Sequence, residues 1–280
     1  MKKIVSLIMT AVISASLFAG CGAKNNDTIT VVSREDGSGT RSAFVELLGI
    51  VDAKGNDATA DTAEVTNSTS VMLATIKGNR NAIGYVSLGS LSDEVKALSV
   101  DGVAPTADNI EDGSYAIARP FNVAYKSGAL SELDEDFLGF IMSDKGQKII
   151  VEEGYINVSE GDEYAPAGLS GTVVLAGSTS VAPVMDAIAD EYKELNPGVT
   201  IEIQQSGSSA GITAAIEGVC SFGMASRELK ADEVAQLECV AIAMDGIAVI
   251  VNSENGVDDI KAEQVKDIYL GAVKNWSEIG

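Results

Sequence analysis

The sequence predicts an α/β protein, and three observations carry that prediction. Apolar β-branched runs alternate with stretches of helical periodicity along the chain, the signature of helices layered on a sheet. Three of those runs pass straight into Gly and clustered Ser/Thr and then into a helix-like pattern: residues 31–40 (VVSREDGSGT), 173–180 (VVLAGSTS) and 201–211 (IEIQQSGSSAG). Of 280 residues, 46% are hydrophobic and 21% charged, enough for one large or two medium lobes with real cores.

The first 21 residues read as an export signal: Lys2 and Lys3, an apolar run over 4–18, then Ala19, Gly20 and Cys21. The small-small-Cys ending resembles a bacterial lipobox, with Phe18 where Leu is usual. Cleavage before Cys21 makes residues 1–20 a signal peptide and residues 21–26 a tether lipidated on the Cys21 sulfur. No other stretch reaches the roughly 18 apolar residues that a spanning helix needs.

Strands are expected at residues 29–33, 82–87, 172–176, 200–204, 221–225 and 240–252. Val184, Ile188, Tyr192 and Leu195 form the apolar stripe of a helix opened by Thr179 or Ser180, with Pro183 in its first turn. The helix after SGSSAG carries Ile212, Ala215 and Ile216, and the one after Gly39 turns Phe44, Leu47 and Leu48 inward. Residues 65–71 (VTNSTSV) open a further helix without a preceding Gly turn, and plain N-capping is the role expected there. Residues 159–170 (SEGDEYAPAGLS) are polar and turn-rich, a linker.

Each Gly-Ser/Thr turn ends a strand and starts a helix, so several unpaired backbone N–H groups and one or two hydroxyls point toward a common place. One such turn is ordinary helix punctuation. Three in one chain, one of them carrying Arg34, favour a small, multiply charged anion. The balance of 19 basic against 41 acidic residues gives a net charge of −22, which argues against nucleic acid and anionic membranes as partners. Local geometry must therefore capture any anion. With no His and no CxxC there is no metal-ligand constellation, and neither a Ser-His-Asp nor a Cys-His mechanism is available. Cys220 and Cys239 read as buried small apolar residues; their spacing leaves a disulfide open.

The segment GTVVLAGSTSVAPVMDAIADEYKELNPGVTIEIQQSGSSAGITAAIEG, with FGMASREL and MDGIAVIVN after it, resembles the amino-terminal half of the phosphate-binding proteins of bacterial phosphate ABC transporters. ITVVSREDGSGTRSAF, followed by NAIGYVSLG, ARPFNVAYK and FLGFIMSDKGQKIIVEEGYI, resembles their carboxy-terminal half. In that family the GSTS half comes first and runs through an NWSEIG-like segment into the Arg-x-Asp-Gly-Ser-Gly-Thr segment; here NWSEIG closes the chain. The order reads as a circular permutation joined through residues 159–170, with new ends at Asp27 and Gly280; a truncated tandem array or a gene-model artefact is the other reading. The resemblance implies a two-lobed periplasmic-binding-protein-like fold of type II, with two hinge strands and the ligand in the interlobe cleft. One lobe would comprise residues 27–120 plus 252–280 and include Trp276 as a packing residue. The other would be continuous over 121–251, with hinge passages near 119–123 and 249–252.

What the resemblance implies for the site is phosphate held by Thr179 and Ser180 of GSTS, by Ser208 of SGSSAG with Ser209 its neighbour, and by Arg34 making a charge-assisted contact. Ser38, Gly39 and Thr40 would close the cage from the opposite lobe. Where some members carry an Asp after an FGAS-like strand, this chain has Ser226, expected as a hydroxyl ligand. Reading the proton on phosphate needs an acceptor, and Asp245 in MDGIAVIVN is the candidate, the alternative being a turn-capping Asp. Asp36 is placed to orient Arg34 by an ion pair, and Arg227 suits an ion pair better than a ligand contact. The expectation is a monomeric, lipid-anchored, extracytoplasmic receptor, without cofactor or metal, that delivers inorganic phosphate to a membrane permease and ATPase. Sulfate, molybdate or another oxyanion is the alternative ligand, and a phosphatase-like hydrolase the alternative class.

Overall fold

The computed structural model describes residues 27–279, so the export signal, Cys21 and Gly280 lie outside the described residues. Strand β1 (Thr30–Arg34) leads into helix α1 (Gly39–Leu48), β2 (Glu64–Thr66) into α2 (Thr69–Gly78), and β3 (Ala82–Ser87) into β4 (Val95–Ala97), the short β5 (Ser99–Val100) and α3 (Ala107–Glu111). β6 (Ala118–Tyr125) then carries the chain to α4 (Glu132–Met142) and α5 (Asp144–Glu152). Beyond residues 159–170, which are irregular as expected, come β7 (Gly171–Gly177), α6 (Ala182–Leu195), β8 (Val199–Gln205), α7 (Ser208–Glu217), β9 (Phe222–Ala225) and α8 (Ala231–Val234). The long β10 (Glu238–Asn252), a short β11 (Asp259–Ile260) and α9 (Ala262–Tyr269) complete the order.

The strands run β2-β1-β3-β10-β6-β9-β7-β8, and this order falls into two halves that meet at β10. In one half β1 lies parallel to β2 and β3; in the other β7 lies parallel to β8 and β9. β10 is antiparallel to each strand it pairs with: Glu238–Gly246 face β6, Ile247–Val251 face β3, and Ile250–Asn252 also face β4. A strand-helix alternation with parallel pairing is what the β-branched runs and Gly-Ser/Thr turns dictate, because each helix must return the chain to the same end of its sheet.

Each half buries its own core. The first contains Phe44, Tyr85 and Tyr269, with Phe44 stacked on Tyr85 at 4.0 Å between ring centroids, together with Ile247, Val249 and Val251. The second contains Phe121, Phe137, Phe140, Leu175, Ile188, Tyr192 and Phe222. Ile247, Val249 and Val251 therefore pack with the first core, and the crossing on β10 lies at Gly246–Ile247, a few residues earlier than the lobe boundary at 251 and the hinge at 249–252 drawn from sequence. The apolar run breaks at Asp245 and Gly246, immediately before the point where β10 changes partner from β6 to β3.

The two ends of the described chain meet: Thr28 bridges Asn275, and the Trp276 N–H donates to the Asp27 carbonyl at 2.9 Å. Trp276 packs against the first core and its indole N–H donates to the Asn81 carbonyl at 3.1 Å. The stripe Val184, Ile188 and Tyr192 on α6 is buried as its period requires. Leu47, expected inward, is exposed, because Ala43, Phe44 and Val45 take the inner face of α1 and Gly49 ends the helix in a left-handed cap. Cys239, expected buried, is exposed on β10; it and Cys220 are free thiols.

Candidate functional site

Where the two lobes touch, the sequence's Gly-Ser/Thr turns come together. β1 ends at Arg34, whose backbone N–H donates to the Tyr85 hydroxyl at 3.1 Å, and the same hydroxyl meets Ser33 Oγ at 2.9 Å. Burial pushes the Tyr85 phenol up to about 12, so it stays neutral and anchors the strand end. Gly37, at φ 87°, makes the turn that L side chains resist, and Ser38 caps α1, its Oγ accepting the Arg41 N–H at 3.3 Å. Arg34, buried, donates to Glu35 through Nε (2.8 Å) and Nη2 (2.9 Å), and Nη2 also reaches across to Thr179 Oγ1 at 3.0 Å. A guanidinium gripped on one side by a carboxylate presents its remaining N–H groups in a fixed direction.

The opposite lobe supplies the GSTS turn. Gly177 has φ 139°, and a Cβ on it would stand 2.2 Å from the Met224 carbonyl oxygen, so only glycine fits. α6 is capped by Val181 without a side-chain bond, so neither Thr179 nor Ser180 opens it as expected from sequence; Ser178 Oγ instead closes the turn before it, accepting the N–H groups of Ser180 (3.2 Å) and Val181 (3.4 Å). That frees Thr179 and Ser180 to face the other lobe. Ser180 Oγ lies 2.8 Å from Thr40 Oγ1, and Ser178 Oγ donates to Ser226 Oγ at 2.9 Å. Ser208, the first residue of α7, accepts the Ser226 N–H at 3.2 Å, and the Ser209 N–H donates across the lobes to the Gly37 carbonyl at 3.0 Å.

Two residues that sequence reasoning did not place as ligands stand in this cluster. Thr69 begins α2, where Ser68 does the capping expected of residues 65–71. Thr69 Oγ1 lies 3.3 Å from Thr179 Oγ1 and 3.4 Å from Ser180 Oγ, and it accepts from Arg34 Nη1 at 3.4 Å. Arg119, at the start of β6 and read only as a hinge position, is buried with Nε donating to the Ser226 carbonyl at 2.8 Å and Nη2 to Thr40 Oγ1 at 3.2 Å. Desolvation lowers its pKa and the neighbouring Asp245 carboxylate opposes that shift.

Of the residues singled out from sequence, Arg34, Thr40, Thr179, Ser180, Ser208 and Ser226 are brought together as buried groups, and Gly39 packs against Ser208 and Ser226. Ser38 is buried beside them as the α1 cap. Asp245 stands behind the cluster: Oδ1 accepts Ser87 Oγ (2.9 Å) and the Leu88 N–H (3.1 Å), and Oδ2 accepts Arg119 Nη1 (2.5 Å). Both of its oxygens are thus occupied by protein donors, against the expectation that it faces a ligand. Asp36 does not orient Arg34. It is exposed and pairs with Arg41 at 3.0 Å, and adjacent Glu35 holds Arg34 instead. Arg227 forms the expected ion pair, bidentate with Glu233 at 2.7 and 2.8 Å. Among the described residues no group of three or more His, Cys, Asp or Glu could hold a metal ion.

A family profile described as a PBP superfamily domain matches residues 9–145 and 162–280, skipping most of α5 and the start of the linker. The chain belongs to the PBP superfamily. Among PBP-superfamily relatives, the Streptococcus agalactiae serotype V protein called phosphate-binding protein PstS 2 is 46% identical over 287 residues, covering 99% of this chain and 98% of that one. The crystal structure of a phosphate-binding protein of a phosphate ABC transporter from Streptococcus pneumoniae superposes with a TM-score of 0.73 at 46% identity, covering 90% of this chain and all of that one. Bacillus subtilis phosphate-binding protein PstS aligns more narrowly, at 32% identity over 127 residues, 44% of this chain and 40% of that one.

Proposed function

We propose that this PBP-superfamily protein captures inorganic phosphate outside the cell and hands it to the permease and ATPase of an ABC transporter. One observation carries the reading: the first turns of α1, α2 and α7 and the turn leading into α6 place Thr40, Thr69, Ser208, Thr179 and Ser180 in one buried hydroxyl cluster flanked by Arg34 and Arg119. Each helix start contributes about half a positive charge, so four of them roughly match a dianion. Hydroxyls and guanidinium N–H groups then replace the anion's hydration shell with preformed dipoles. In this reading Thr179, Ser180, Ser208 and Ser226 hold the anion from one lobe and Arg34, Ser38, Gly39 and Thr40 from the other, with Asp245 positioning Arg119. Release follows from parting the lobes about β6 and β10. The phosphate-binding names of the streptococcal relatives support the ligand assignment and a transport role.

The same reading anchors a monomer to the outer face of the cell membrane through a lipid on Cys21. It also keeps the permuted order of the halves: relatives from Streptococcus align along nearly their whole length, whereas the Bacillus protein aligns over less than half. The test is isothermal titration of phosphate into the purified chain, with sulfate as control. Tight one-to-one phosphate binding without a sulfate signal supports the reading; sulfate binding as tight as phosphate points to a general oxyanion carrier. Turnover of a phosphate ester would instead revive the hydrolase class.

A further inference from the structure

We propose that Asp245 takes up one proton from solvent when the dianion seats, so that anion capture is coupled to protonation of a carboxyl on the far side of Arg119. This rests on the phosphate reading above. The geometry puts one guanidinium between two negative demands. Arg119 Nη1 serves the fully buried Asp245, while Nη2 and Nε of the same group serve Thr40 Oγ1 and the Ser226 carbonyl in the hydroxyl cluster. Three of its five N–H groups are so engaged, leaving two for an anion. Once an anion draws on that guanidinium, the compensation that keeps Asp245 ionised is shared with a second, doubly charged group.

Among the described residues no other cation relieves Asp245. From β3 and the turn after it come only the Ser87 hydroxyl and the Leu88 N–H, both neutral donors. From the segment after α5 comes the Tyr155 phenol, which burial pushes up to about 12, so it is uncharged near neutrality. Arg34 faces Arg119 from across the cluster and is already held by Glu35. Burial has raised the Asp245 carboxyl to about 6 before any anion arrives, and a further negative neighbour raises it again. The proton comes from water and no bond of the anion changes.

The test is isothermal titration of phosphate into the full chain, purified in detergent, at about pH 8 in a series of buffers of different ionisation enthalpy, where the slope of heat against that enthalpy counts protons. The expected result is net proton uptake on binding, falling to about none in Asp245→Asn. Binding without proton uptake overturns the proposal alone, and so does uptake that persists in Asp245→Asn, since the proton then sits on the anion. Absence of any phosphate heat takes down the phosphate reading itself. Should Asp245→Asn fail to fold or bind, infrared difference spectra of the unsubstituted chain carrying ¹³C-labelled aspartate decide: a protonated-carboxyl band that appears with phosphate and shifts with the label is expected, and its absence overturns the proposal.

Discussion

Replacing Gly39 by alanine separates lobe closure from folding. Gly39 opens α1 on one lobe, and a Cβ built there stands 2.3 Å from Ser208 Oγ, 2.8 Å from Ser226 Oγ and 2.9 Å from Ser208 Cβ on the other. Ser208 and Ser226 are both buried, and Ser208 Oγ already accepts the Ser226 N–H, so neither side chain can swing into open space. Ordinary contact requires the two surfaces to part by about 1 Å, which removes the 2.8 Å Thr40–Ser180 contact from its optimum as well. Overpacking of this kind costs about 1–3 kcal/mol. Because the clash lies between lobes, the penalty falls on the closed state, and parting the lobes relieves it. Phosphate affinity should therefore drop about 5- to 150-fold while the ligand-free protein keeps its melting temperature within about a degree or two. Titration calorimetry measures the first and differential scanning calorimetry without ligand the second. Affinity within twofold of the unsubstituted chain would refute the close approach of α1 and α7; equal losses of affinity and ligand-free stability would refute its assignment to closure.

Arg34→Lys keeps the charge but loses the fork that grips Glu35 while reaching Thr179; phosphate affinity should fall at least tenfold by titration, since charge-assisted hydrogen bonds contribute about 1.5–3 kcal/mol each. Thr69→Val removes a hydroxyl while preserving shape, and with Ser68 still capping α2 it should cost affinity about 3- to 10-fold with little change in helicity by circular dichroism. The raised carboxyl of Asp245 has a signed effect on ligand-free stability: its contribution is full below the unfolded value of 3.8 and is lost as pH rises through about 6. Urea unfolding should therefore show the stability of the unsubstituted chain relative to Asp245→Asn declining from pH 4 to 6 and levelling above. Ser131→Ala breaks the capping box of α4, in which Ser131 Oγ accepts the Asp134 N–H and Asp134 accepts the Ser131 N–H; it should cost about 1 kcal/mol in urea and leave phosphate affinity unchanged.

What the sequence made legible was local. A Gly with clustered Ser or Thr between a β-branched run and a helical period specifies a strand end, a tight turn and a helix start within ten residues, and DGSGT, GSTS and SGSSAG all fold that way. What it hid depends on neighbours distant in the chain. Thr69 looks like part of a cap, and only the pairing of β1 with β2, Arg34 opposite Thr66, brings α2 up against Arg34. Asp245 has the chemistry of a proton acceptor, but its orientation is set by Arg119 directly opposite on β6, a register invisible in one dimension. Glu35 takes the role expected of Asp36 because the turn after β1 decides which carboxylate meets which arginine. Leu47 and Cys239 failed for the same reason: an apolar residue at an element's end can be inside or outside, and the neighbouring element decides.

β10 belongs to both halves, and this ties their genetic histories together. Ile247, Val249 and Val251 feed one apolar cluster while Ala248 and Ile250 feed the opposite face of the same sheet, and Ile242 and Ala243 feed the second lobe beyond the crossing. Adding or deleting one residue anywhere between 243 and 247 would invert that alternation for one lobe relative to the other, turning a run of buried side chains onto the wrong face. Loops such as 159–170 can lengthen at little thermodynamic cost. β10 already absorbs one irregularity between Ala241 and Ala243, outside that span, so a length change within 243–247 should be far less tolerated than one in the linker.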